Sequence, residues 1–187
     1  MEIDMTYTVH TVETAPAAAR DILAGAKKSL GFVPNLFGVM AEAPALLKAY
    51  ATLSAIFDET SFNATERQVV LLAVSYENDC GYCVAAHSAI AGMQKVPNDV
   101  VKAIRDGRPI ADTKLEALRR FAGAVVASRG WPSEDDTKSF LAAGYGRQQA
   151  LEVVLGVGMK TLSNYANHIA ETPLDQVFTP VAWSKAA

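Results

Sequence analysis

Cysteine is scarce in this chain: Cys80 and Cys83 are the only two among 187 residues, so a closed zinc site made of cysteine alone is excluded. No stretch reaches the roughly 18 uninterrupted apolar residues that span a bilayer. No cluster of Lys or Arg is longer than two, and 17 basic against 20 acidic residues leave a net charge of −3. Nucleic acid and anionic membrane surfaces are therefore not expected as partners. The opening "MEIDMTYTVHTVE" lacks the basic-then-apolar pattern of a secretory signal, which predicts a cytoplasmic protein. In that reducing compartment a close cysteine pair is seldom a permanent disulfide and more often redox-active or metal-binding.

Alternating strand patterns and Ser/Gly linkers are absent too, which leaves one all-α domain. Half of the residues are apolar, enough at this length for a core that needs no metal. "APAAARDILAGAKKSLG" predicts a helix over 16–30 stopped by Gly31, and Pro34 and Pro44 punctuate the starts of helices over 35–41 and 44–58. "SFNATERQVVLLAVSYEN" places Asn63 or Thr65 as a cap before a long apolar run that ends at Asn78. Its Val-Val-Leu-Leu-Ala-Val centre has the composition of a buried strand, but its length and cap favour a helix buried on most sides. Further helices are predicted over 80–92, 97–106, 112–129, 133–142 and 146–170, separated by "GRPI", "GWPS" and "AAGYG". A faint echo between "ERQVVLLAVSYENDCGYCVAAH" and "GRQQALEVVLGVGMKTLSNYANH" raises the possibility of duplicated helical halves.

Chemistry concentrates in "DCGYCVAAH". With Asp79 as a helix cap, Cys80, Cys83 and His87 fall at i, i+3 and i+7, within about 60° of arc on one face. Side chains lean toward a helix N-terminus, so the His87 imidazole points back over Cys83. Unpaired N–H groups of a first turn depress a thiol pKa. A thiolate nucleophile beside a proton carrier follows. The competing readings are a metal site, for which His10 or His168 would have to supply a fourth ligand, and a pair of inert buried cysteines. Haem attachment is excluded, because Val84 rather than His follows the second cysteine.

"ATERQVVLLAVSYENDCGYCVAAHSAIA" resembles the signature of the alkylhydroperoxidase D-like branch of the carboxymuconolactone decarboxylase family. "GFVPNLFGVMAEAPALLKAY" and "NYANHIAETPLDQVFTPVAW" are similar to its peroxidase-related subgroup. The resemblance covers about residues 20–183. It implies a single AhpD-like helical domain over 1–187 with a core at about 20–175, assembled as a homo-oligomer, a trimer or a hexamer. It also implies a thiol-dependent peroxidase that reduces hydrogen peroxide or alkyl hydroperoxides. No bound cofactor is expected, only an external thiol reductant, a dithiol electron donor of unknown identity.

In the family the second cysteine, Cys83 here, is attacked by peroxide, Cys80 resolves the sulfenic acid, and His87 relays a proton toward a carboxylate. A helix-terminus argument alone favours Cys80 as the nucleophile instead. The chain departs from the family where the relay glutamate belongs: the position holds Gln68, which orients an imidazole but cannot take its proton. Glu66 faces another side of that helix, and Glu77, three residues before Cys80, is the expected substitute. Tyr82 reads as a pocket wall. Asn164, Asn167 and His168 share one helix face and line either the pocket, a subunit contact or a structural polar network. Two other classes stand beside the peroxidase: a lactone decarboxylase-type lyase, which would not use the cysteines, and a non-enzymatic redox sensor.

Overall fold

The computed structural model describes residues 6–185. Among the described residues nine α-helices follow one another: α1 (Ala17–Leu30), α2 (Asn35–Met40), α3 (Pro44–Asp58), α4 (Ala64–Glu77), α5 (Gly81–Met93), α6 (Asn98–Arg105), α7 (Thr113–Ala127), α8 (Glu134–Ala142) and α9 (Arg147–Ala170), with a 3-10 turn over Gln176–Val181. Among the described residues there is no strand. The predicted helices are all present, with ends within a few residues of expectation.

Local chemistry explains the boundaries. Gly31 takes φ 85° and its N–H closes on the Lys27 carbonyl, a left-handed stop that glycine adopts without a Cβ clash. Pro44 opens α3 from its first turn, where its missing N–H has no helical partner to lose. Of the two candidate caps for α4, Asn63 is the one used. Its side chain accepts the Glu66 N–H at 3.0 Å while Glu66 accepts the Asn63 N–H at 3.0 Å, a reciprocal box that satisfies two orphan donors.

Helix α4 is the axis of the molecule. Glu66 and every residue from Gln68 to Ser75 are buried on it, because α5, α6, α7 and α9 pack around it. Its run of Val69, Val70, Leu71, Leu72, Ala73 and Val74 thus spends its apolar surface inside its own chain. Phe121, Phe140 and Tyr145 stack in sequence, with ring centroids 4.2 and 4.7 Å apart, and fix α7 and α8 beside it.

Helix α9 crosses both α3 and α4. Gly156 allows the approach, since a Cβ there would stand 2.8 Å from Val70 Cγ1 and 2.9 Å from Phe57 Cε2. The two echoing stretches are not matching units. The first breaks into α4, a turn and α5, whereas the second is the single continuous helix α9.

After α9, residues 171–185 return over the start of α5 as a strap. Arg105 Nη1 and Nη2 donate to the Val181 and Ala182 carbonyls at 3.0 and 3.1 Å, and Trp183 Nε1 donates to the Arg105 carbonyl at 2.9 Å. Phe178 packs on Ala85, Ala86 and Tyr82. The strap lies so close that a Cβ at Gly81 would come 2.8 Å from the Trp183 carbonyl oxygen. Glycine at the first residue between the cysteines is a condition of this cover.

Candidate active site

The turn from α4 to α5 positions the dithiol. Asp79 takes φ 53°, the Asp79 N–H donates to the Tyr76 carbonyl at 3.1 Å, and the Cys80 N–H donates to the Ser75 carbonyl at 2.9 Å. This left-handed closure ends α4 and turns the chain at once into α5. Cys80, not Asp79, is the residue that caps α5, with extended φ −91° and ψ 92°. Cys80 thus stands just outside the first turn and Cys83 within it, and the two are 1% and 2% exposed.

Helix α9 meets this turn with a polar stripe. Lys160, Ser163, Asn164 and Asn167 are all buried, spaced i, i+3, i+4 and i+7, so they share one face. Asn167 Nδ2 stands 3.2 Å from Cys83 Sγ and 3.8 Å from Cys80 Sγ, one amide donor between two sulfurs. Ser163 Oγ lies 3.9 Å from Cys83 Sγ. Asn164 accepts from Asn78 Nδ2 at 2.9 Å, which ties the stripe to the turn itself.

His87 is buried one turn beyond Cys83, and both ring nitrogens are engaged. Lys160 Nζ is 3.0 Å from His87 Nε2, and Gln68 Oε1 is 3.1 Å from His87 Nδ1. An ammonium only donates and a carbonyl oxygen only accepts. The tautomer follows: Nε2 accepts from Lys160, and Nδ1–H donates to Gln68. Gln68 Nε2 then donates to Gln94 Oε1 at 3.1 Å, so the chain continues through amides.

The charges are sorted by this arrangement. Burial by itself pushes the Cys83 thiol up. The opposing effects outweigh it: the S–H of Cys80 donated to it, the Lys160 charge, and the side chains of Asn164 and Ser163 hold Cys83 well below an ordinary thiol. The same hydrogen bond, then burial and the neighbouring thiolate, push the Cys80 thiol far up. Burial and the Lys160 charge hold His87 well below an ordinary imidazole, so it is neutral. Burial alone would favour a lysine amine, but the Cys83 thiolate, Tyr50 and Cys80 carry Lys160 above its ordinary value. These directions favour ionisation of Cys83 over Cys80, with the Lys160 charge as the nearby cation and His87 held toward its neutral form.

Residues 42–124, from just after α2 to within α7, match the sequence model of the carboxymuconolactone decarboxylase family. No curated protein matches the chain in sequence. Among solved structures, the alkylhydroperoxidase AhpD core protein of Ralstonia eutropha JMP134, described as peroxidase-related, superposes with a TM-score of 0.81 at 22% identity, covering 95% of this chain and 96% of that one. The debrominase Bmp8, in a cysteine-to-alanine variant bound to 2,3,4-tribromopyrrole, gives 0.78 at 17%, covering 95% of each chain. A peroxidase-related protein of Silicibacter sp. TM1040 gives 0.75 at 17%, covering 95% of this chain and 92% of that one. At these identities the likeness is one of fold, and the fold is AhpD-like.

The family segment carries Cys80, Cys83 and His87, and the structure brings these three together. It does not bring Glu77 to them. Glu77 is exposed, with its Oε1 3.1 Å from where a Cβ on Gly123 would stand, so its carboxylate lies over α7 on the side of Arg119. The expectation that Glu77 replaces the relay acid is corrected on geometry, because both nitrogens of His87 are occupied by other residues. Gln68 does orient the imidazole, through its Oε1 on His87 Nδ1. Glu66 faces elsewhere, as expected, accepting from Tyr145 Oη at 3.1 Å and pairing with Lys114 at 3.3 Å.

The predicted trio of Asn164, Asn167 and His168 is split. The two asparagines are buried at the dithiol turn, while His168 is exposed beside Tyr165. His10 pairs with Glu42 at 3.2 Å. Among the described residues no three His, Cys, Asp or Glu side chains are grouped to hold a metal ion. Tyr82 is more than a wall: its hydroxyl donates to Asp175 of the strap and accepts the Leu36 N–H at 3.2 Å.

Lys160 is the residue that the sequence reading missed. It lies outside the family segment, and its signal was the buried-polar spacing in "KTLSNYAN" on a helix otherwise apolar on its inner side. A lysine in such a run reads as a solvated charge until the partner helices are known.

Proposed function

We propose that this chain is a thiol-dependent peroxidase that reduces hydrogen peroxide or alkyl hydroperoxides through Cys80 and Cys83, and is reset by an external dithiol. The observation that carries the reading is the Asn167 amide between the two sulfurs, one ionised and one protonated. A thiolate is the nucleophile toward peroxide, and a neighbouring protonated thiol is what resolves the sulfenic acid. Cys83 is thus the attacked cysteine and Cys80 the resolving one. Asn167 Oδ1 is buried with no partner, an acceptor held beside Cys83 for the O–H of an incoming peroxide. Phe178, Tyr82, Ala85 and Ala86 form an apolar cluster between the strap and α5, a surface that suits an alkyl group.

Anaerobic oxidation of the reduced protein by cumene hydroperoxide, followed by mass spectrometry, tests this. Both thiols are expected to disappear together into one intramolecular disulfide, Cys80→Ser to stop at the sulfenic acid, and Cys83→Ser to be inert. Sustained turnover with excess dithiothreitol separates an enzyme from a redox sensor, and activity that survives loss of both cysteines would point to lyase chemistry. A brominated pyrrole is included as a competing oxidant, since a fold neighbour is a debrominase. Its reduction without peroxide reduction would overturn the peroxidase reading.

The same proposal includes self-association, as a trimer or hexamer in the cytoplasm. Leu151, Val154, Tyr165 and Ile169 are exposed along the outer side of α9, and Gly158 between them opens onto free space. Light scattering on Val154→Glu is expected to show a smaller particle than the unmodified protein.

A further inference from the structure

We propose that Lys160 is the proton carrier of the dithiol cycle, in the place where a histidine–carboxylate relay would act. This deepens the peroxidase reading and rests on it.

The geometry supports the assignment in three ways. Lys160 Nζ is fixed by His87 Nε2 at 3.0 Å, and the rest of its buried stripe, Ser163 and Asn167, stands at Cys83 Sγ. His87 cannot carry the proton onward, because its Nδ1–H ends on the Gln68 amide and an amide oxygen is not a base at these pH values. The lysine is 1% exposed, and the groups that favour its charge most are the Cys83 thiolate, Tyr50 and Cys80. The titratable groups that face it are Tyr50 from α3, Cys80 at the cap of α5, and Cys83 and His87 within α5. Helix α2, which also packs on α9, carries no titratable side chain. On α7 the charged Lys114, Glu116 and Arg119 are engaged with Glu66 and one another.

The cycle balances with these groups. The Cys83 thiolate attacks the terminal oxygen of ROOH, an S–O bond forms, the O–O bond breaks, and the leaving alkoxide takes a proton from the Lys160 ammonium. The products are the Cys83 sulfenic acid, ROH and a neutral lysine amine. Cys80 then attacks Cys83 sulfur; its proton leaves with the hydroxyl as water, and the disulfide closes. An outside dithiol reduces the disulfide to two thiols and is itself oxidised to a disulfide. The Cys83 proton passes back to the amine, restoring the ion pair. In sum, ROOH and a dithiol give ROH, water and a disulfide, and Lys160 is never a lone buried cation, since it is charged only while the thiolate stands beside it.

The test is the ultraviolet thiolate band of the reduced protein against pH, with iodoacetamide and peroxide rates, for Lys160→Met and Lys160→Arg. Lys160→Met is expected to move the Cys83 midpoint toward the free-thiol value near 8.5 and to lower alkylation at pH 6 by about 100-fold. Lys160→Arg is expected to keep the thiolate yet lose peroxide turnover by about 100-fold, because a guanidinium does not release its proton. An unmoved midpoint in folded Lys160→Met, or full turnover in Lys160→Arg, overturns the proposal. Should Lys160→Met fail to fold, Cys80→Ala poses the question with the lysine in place. With the Cys80 S–H gone, a Cys83 midpoint still below the free-thiol value of about 8.5 is expected there, and a midpoint above it overturns the ion pair. A shifted midpoint in Lys160→Met, in a protein that reduces no peroxide, would sink the peroxidase reading while leaving the ion pair standing.

Discussion

Gln68 Oε1 accepts the Nδ1–H of His87 at 3.1 Å, so an amide rather than a carboxylate orients this imidazole. The substitution Gln68→Glu adds a charge without changing the shape of that contact. A carboxylate beside an imidazole favours its charged form. His87 is therefore expected to rise from its depressed value in Gln68→Glu, read by NMR titration of its ring protons. An unchanged titration would mean that the Gln68–His87 contact is not made in solution.

The pH dependence of stability follows from the site's shifts. His87 and Cys83 are both lowered in the folded protein. The unfolded chain thus binds more protons, at the thiol below about pH 8.5 and at the imidazole below about pH 6.5. The stability each contributes is present above those values and is lost as pH falls toward the folded pKa. Cys80 and Lys160 are raised, so their contributions are present below about pH 8.5 and pH 10.4 and are lost as pH rises through the folded values. The reduced protein is expected to be most stable on the mildly alkaline side of neutrality and to weaken on acidification. Urea unfolding across pH should show His87→Gln with a flatter decline below about pH 6.5. A parallel decline in both proteins would remove His87 from that slope.

The strap is held by a buried carboxylate. Asp175 accepts the Asn35 N–H, at 3.0 Å to Oδ1 and 3.2 Å to Oδ2, together with the Tyr82 hydroxyl. Tyr82→Phe removes one donor to Asp175, leaves the Asn35 N–H, and strips the Leu36 N–H of its acceptor. A loss of about 1–3 kcal/mol is expected, with faster alkylation of the dithiol as the cover over Gly81 loosens. Equal alkylation rates in the two proteins would show that the strap does not limit access.

Packing at the α9 crossing makes a separate demand. Gly156→Ala drives a Cβ against Val70 and Phe57, and a cost of about 1–3 kcal/mol is expected. Gly25→Ala, in α1 with no atom within 4 Å of the new Cβ, is expected to gain about 0.5–1 kcal/mol by helix propensity. Thermal unfolding of the pair checks both signs.

Much of this protein was determined by local chemistry, and that part is legible in the sequence. The Asn63–Glu66 box, Gly31 and the prolines at 34 and 44 set helix ends through contacts a few residues apart, so their outcome does not depend on the rest of the fold. The grouping of Cys80, Cys83 and His87 is local in the same sense, because seven residues of nearly continuous helix hold them together. The sequence also determined that position 68 lacks a proton acceptor. What it did not determine was the destination of each charge. Glu77 and Lys160 are both ionisable residues on helices, and nothing within a turn of either distinguishes them. The packing of α7 against α4 turns the Glu77 carboxylate outward, and the crossing of α9 over α4 and α5 turns the Lys160 ammonium inward to His87, 73 residues away in the chain. Burial then fixes which groups ionise: the energy of a charge depends on what surrounds it in three dimensions, and only the tertiary structure places that thiolate and that ammonium side by side.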